Sequence, residues 1–182
     1  MRFDHGEAGA ARIAPGAHVV VVADELDGHD DLGRDAAAAR VAARADAGAL
    51  VLLVTTAGAA GAAERVLARQ AELGDRAVVA VVAAGSVDAD GHRPAVEDQL
   101  AAGAVVDALA ATGLDATSPE AALVCSASVA LRRAAGHLLT ASVSAGATRD
   151  SGGQEAQVGA RPAAPVVEVP LPGAVRAPGE AA

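Results

Sequence analysis

Three short, unbroken apolar runs decide what this chain can fold into. They are Ala17-His18-Val19-Val20-Val21-Val22-Ala23, Ala49-Leu50-Val51-Leu52-Leu53-Val54 and Ala77-Val78-Val79-Ala80-Val81-Val82-Ala83. None alternates apolar with polar residues, so as strands they need cover on both faces, which is the pattern of a parallel sheet between helical layers. Each run is followed by a turn and then by an alanine-rich segment of helical length. Asp35 is a good N-cap for a helix over Ala36 to Ala47, with Gly48 as its stop; Thr55 to Gly61 turns into a second over about Ala62 to Leu73, stopped by Gly74. A third runs from about Pro94 to Ala111 and closes at Gly113. Thr117 or Ser118 caps a fourth, with Pro119 in its first turn and Glu120 placed for a capping box, reaching toward Ala135. Strands alternating with helices in this way specify βαβ units and an α/β fold with a largely parallel sheet.

The layers must be thin. Alanine supplies 52 of the 182 residues and aromatics only 1%, so the core is built from small side chains that allow close helix–sheet contact. Residues 1–145 read as a single domain. The Gly, Ser, Ala and Gln texture of 146–164 reads as a flexible segment, 165–176 as a returning edge strand around Pro165-Val166-Val167-Glu168-Val169-Pro170-Leu171, and 177–182 as a disordered tail.

Charge and missing residue types remove whole classes of function. The net charge is −9, which disfavours nucleic acid and anionic membrane as partners. All 14 basic residues are Arg; without Lys there is no Walker A loop or Schiff-base chemistry, and the absence of Tyr also removes the short-chain dehydrogenase pair. Cys125 is alone and the N-terminus lacks a signal pattern, so the expected compartment is the cytoplasm; no apolar run approaches a membrane span. The five histidines show no zinc-ligand spacing.

What remains is a set of carboxylates and an anion-binding turn. Asp24, with Glu25 beside it, ends the first run, and Glu97 with Asp98 opens the helix after the third. In a parallel sheet both pairs stand on the carboxyl rim, where oxygen ligands from two loops suit Mg²⁺. The structural alternative is that acids at a helix start stabilise its dipole by ~0.3–1 kcal/mol with no ligand. Thr55, Thr56 and Gly58 open a helix whose amides could take a phosphate; Thr56-x-Gly58-x-x-Gly61 is also a dinucleotide fingerprint lacking its first glycine. Gly85 turns the chain after the third run. Arg93, and secondarily Arg34, could hold an anionic group or pair with the neighbouring acids.

The segment Ala83-Ala84-Gly85, followed by Arg93-Pro94-Ala95-Val96-Glu97-Asp98 and Gly103-Ala104, resembles the 2-phosphosulfolactate phosphatases of coenzyme M biosynthesis. Arg2-Phe3-Asp4-His5-Gly6, Val22-Ala23-Asp24-Glu25-Leu26, Thr55-Thr56-Ala57-Gly58 and Val167-Glu168-Val169-Pro170-Leu171 are similar to other parts of that family. The resemblance implies a three-layer α/β/α domain and Mg²⁺-dependent hydrolysis of a small anionic phosphate ester. It makes Asp24, Glu97 and Asp98 the catalytic and metal candidates, and Thr55, Thr56, Gly58, Gly85 and Arg93 the substrate-binding ones. Homo-oligomer formation stays open. Asp27-Gly28-His29-Asp30-Asp31 stands where the family carries hydroxyl side chains, which keeps alive a second expectation, a relative that binds without catalysing.

Overall fold

The computed structural model describes residues 1–26, 33–88, 90–150 and 166–172. Its strands are β1 (Arg2–His5), β2 (Val19–Ala23), β3 (Leu50–Val54), β4 (Val79–Ala83), β5 (Ser86–Asp88), β6 (Gly91–Arg93) and β7 (Val167–Glu168). The helices are α1 (Gly6–Ile13), α2 (Gly33–Ala42), α3 (Ala59–Leu73), α4 (Val96–Ala111), α5 (Pro119–Leu131), α6 (Ala135–Ala141) and α7 (Val143–Asp150). Five strands form one sheet in the order β1-β4-β2-β3-β7. The first four are parallel, and β7 returns antiparallel on β3.

The three apolar runs are the centre of this sheet, and alternate residues feed two cores. Val19, Val21, Leu52, Val54, Val79 and Val81 pack on the face covered by α3, α4 and α5. Val20, Val22, Val51, Leu53, Ala80 and Val82 pack on the opposite face, against Ala10 and Ala14 on the α1 side and Ala37, Ala38 and Val41 of α2. The result is a three-layer α/β/α arrangement, and unbroken apolar strands are its cause. Close approach follows from small residues. At Gly103 of α4 a Cβ would stand 2.3 Å from the Val124 carbonyl oxygen and 2.5 Å from Ser128 Cβ of α5, so only glycine admits this crossing. Ser128 Oγ also donates to the Leu100 carbonyl across the same contact, at 3.0 Å.

Several elements differ from the sequence expectation. The expected helix over Ala36 to Ala47 begins at Gly33 and ends at Ala42, so Asp35 lies in its first turn instead of capping it. The expected single helix after Ser118 ends at Leu131, followed by a 3-10 turn and α6. Its cap is as read, with Ser118 Oγ accepting from the Ala121 amide at 3.2 Å. The first part of the expected flexible segment is helical, because α7 extends to Asp150; residues 151–165 and the tail from 177 lie outside the described residues. The edge strand expected around Val167 is β7, tied to α3 by an Arg65–Glu168 ion pair. Two elements have no signature in the composition: β1 with α1 at the N-terminus, and the β5–β6 hairpin inside the loop after β4.

Candidate functional site at the carboxyl rim

Strands β2 and β4 are neighbours, yet the helices that follow them leave on opposite faces, α2 on one and α4 on the other. The chains diverge beyond the strand ends, at the rim where open α/β sheets keep their ligand crevices. Asp24 and Glu25 come from the β2 side of it and Gly85 from the β4 side. Across it lies the first turn of α4 with Glu97 and Asp98.

Asp98 ties the rim together. Its Oδ1 accepts the Glu25 amide at 2.9 Å and its Oδ2 accepts the Gly85 amide at 2.8 Å. Burial pushes its carboxyl up to about 7, the two amide hydrogen bonds oppose this, and the nearby negative charges of Glu97 and Glu25 add to the rise. Glu25 in turn reaches the third loop, where its Oε2 accepts the Thr56 amide at 2.7 Å. Three backbone amides that could have cradled an anion are therefore held by the chain's own carboxylates.

Glu97 is the contrast. It is 1% exposed, and its Oε1 has no hydrogen-bond partner. An ionised carboxylate buried in this state is costly unless a cation or a proton compensates it. Asp24 is buried too and faces Arg34 of α2, with Nε 3.8 Å from Oδ1.

The remaining candidates stand around this centre. Thr55 is buried at the end of β3, and Thr56 and Gly58 form the short 3-10 turn that leads into α3. Gly85 adopts φ +66°, a conformation that suits glycine. The Arg93 backbone lies close to Gly85, but its guanidinium Nη2 donates to Ser144 Oγ of α7 at 3.0 Å. The structure thus brings Asp24, Glu97, Asp98 and the Thr55–Gly58 turn to one rim and directs Arg93 toward α7.

One contributor escapes a reading of the sequence. His92, on the β5–β6 hairpin, packs its ring on two glycines: a Cβ would stand 2.3 Å from His92 Cε1 at Gly85 and 2.6 Å from it at Gly6. Burial lowers the His92 pKa, with Arg93 adding to the effect, and burial lowers that of His5 as well. His92 and Ala84 line a cleft of about 390 Å³ between α1 and α2, which Arg40 and Arg44 also border. The available signal was the pair of glycines, Gly6 and Gly85, together with the turn-forming Asp88-Ala89-Asp90-Gly91 ahead of His92.

Mg²⁺ is the implied metal, and the donor chemistry here is oxygen-only, as that ion requires. Among the described residues no three His, Cys, Asp or Glu side chains are gathered as a ready ligand group. Mg²⁺ does not need three, since it is held through one or two carboxylates plus water and substrate phosphate. The orphaned buried oxygen of Glu97 fits that demand. Asp98, with both oxygens on backbone amides, serves first as a tie between loops.

No protein-family model matches this chain, and no curated protein matches it. Fold and rim together define an α/β/α protein with buried carboxylates gathered at a switch in strand order. No helix among the described residues is long and apolar enough to cross a membrane.

Proposed function

We propose that this chain is a Mg²⁺-dependent phosphate monoester hydrolase of the kind its resemblance to the 2-phosphosulfolactate phosphatases implies. The observation that carries the reading is Glu97: a buried carboxylate with an unpartnered oxygen, at a rim already rich in negative charge, calls for a bound cation. Glu97 and Asp24 would hold the ion, which supplies neutralisation of phosphate charge and orientation of the attacking water. The chain's own residues do the rest. Asp98 fixes the spacing of the β2 and β4 loops through Glu25 and Gly85, while Thr55 and Thr56 border the same rim. Arg34, beside Asp24, supplies positive charge for an anionic substrate, whereas the Arg93 guanidinium is engaged with Ser144 of α7. A small, strongly anionic ester is the substrate class.

The test is phosphate release from a panel of small phosphate monoesters with Mg²⁺ and with chelator, alongside melting curves. The expected result is release that needs Mg²⁺, a Mg²⁺-induced rise in melting temperature, and loss of both in Glu97→Gln, with activity down about a hundredfold. No release from any ester and no Mg²⁺-induced rise in the wild type would refute the reading. A second reading, a domain that binds without catalysing, is favoured by the occupation of the Thr56, Glu25 and Gly85 amides by internal carboxylates. Melting shifted by Mg²⁺ without turnover would select it.

A further inference from the structure

A cavity of about 730 Å³ has a lining that includes none of Asp24, Glu97 and Asp98, and that lining identifies what it is shaped to receive. All four residues of β1 line it: Arg2, Phe3, Asp4 and His5. Successive strand residues point to opposite faces, so a cavity that touches all four runs along the edge of the strand. That edge is open. β1 ends the sheet, with β4 as its neighbour on the other side. Ile13 of α1 forms one wall, and Leu123 and Ala127 of α5 form the other.

Helix α5 adds an independent observation. Its sequence is apolar around most of its circumference, as expected of a helix covered on all sides, yet Leu123 is 73% exposed and Val129 44%. The open strand edge and the uncovered helix share Leu123 and form one surface.

We infer that this surface joins two copies of the chain, β1 pairing antiparallel with β1 of the partner about a two-fold axis at Phe3 and α5 covering the seam. The charges select this occupant and this direction. Arg2 and Asp4 lie on one face of the strand, two residues apart. Antiparallel pairing centred on Phe3 puts Arg2 opposite Asp4 of the partner subunit and Asp4 opposite Arg2 of the partner subunit. Parallel pairing would set Arg2 on Arg2 and Asp4 on Asp4, a juxtaposition of like charges. Asp4 has room for the contact. Its Oδ1 accepts from the His5 amide and Arg12 Nη2, and its Oδ2 from Arg12 Nε, leaving one acceptor direction on Oδ2. An open edge flanked by apolar helix is what strand addition uses, and an isologous two-fold contact closes it.

Sedimentation equilibrium of the full chain over an about hundredfold range of concentration tests this. The wild type is expected at twice the chain mass. Arg2→Asp sets acid against acid across the seam, and Leu123→Arg puts charge on its apolar flank; each should raise the dimer dissociation constant at least about tenfold. Arg2 and Leu123 are exposed, so far-UV circular dichroism should show both variants folded. Val167→Arg, on β7 at the opposite edge of the sheet, should stay dimeric. A wild type that is monomeric throughout overturns the proposal, as does a wild-type dimer that neither Arg2→Asp nor Leu123→Arg weakens.

Discussion

Replacing Asp98 by Asn separates the two things that carboxylate does, bridging two loops and carrying a buried charge. Asn keeps one acceptor oxygen and turns an N–H toward the other amide, so either Glu25 or Gly85 loses its partner; an unpaired buried amide costs about 1–3 kcal/mol. The charge works in the opposite direction. The Asp98 carboxyl is raised from 3.8 to about 7 on folding, so the folded state holds a proton that the unfolded chain has released. The associated stability is complete below about pH 4 and is lost as pH rises toward 7: some three pH units at about 1.4 kcal/mol each, or roughly 4 kcal/mol. The amide of the Asp98→Asn variant cannot ionise and escapes this loss. His5 and His92, lowered on folding, run the other way, losing stability as pH falls through and below the usual histidine range. They are present in both proteins and cancel in the difference. Urea unfolding with chelator, from about pH 5 to about pH 8, should therefore show Asp98→Asn less stable than wild type, or equal to it, at the acid end and gaining by a few kcal/mol toward the basic end. Added Mg²⁺ should flatten the wild-type dependence, because a nearby cation favours the ionised carboxylate. A stability difference that does not change with pH would refute the argument that burial governs this group.

Gly103→Ala should destabilise by about 2–3 kcal/mol despite a helix-propensity gain of about 1 kcal/mol, because the new Cβ meets the Val124 carbonyl, which cannot rotate away; chemical unfolding measures it. Gly85→Ala meets two penalties, an αL backbone costing about 1–2 kcal/mol and collision with the His92 ring, so its melting temperature should fall. His92→Ala in the Gly85→Ala background removes the ring collision alone and should recover part of the loss; no recovery would place the whole effect in the backbone.

The central layer was legible because its physics is local to each run. Val19–Ala23, Leu50–Val54 and Val79–Ala83 are apolar on both sides, a pattern that a parallel sheet between two helical layers accommodates, and Gly74 and Ser118 mark their helix ends by conformation and side chain. Strand β1 was hidden for the converse reason. Arg-Phe-Asp-His carries no apolar run; it is a strand because β4 offers it an edge and Arg12 neutralises Asp4, and both partners come from elsewhere in the chain. The rim divides the same way. That Glu97 and Asp98 would meet the end of β2 followed from parallel topology alone. That Asp98 would spend both oxygens on the Glu25 and Gly85 amides, while Glu97 beside it keeps one unpartnered, depends on side-chain direction in the first turn of α4. Two adjacent carboxylates in one helical turn thus differ in kind, Asp98 being a structural tie with both oxygens on backbone amides and Glu97 a buried side chain with one oxygen unpartnered, a distinction that spacing in the sequence does not carry.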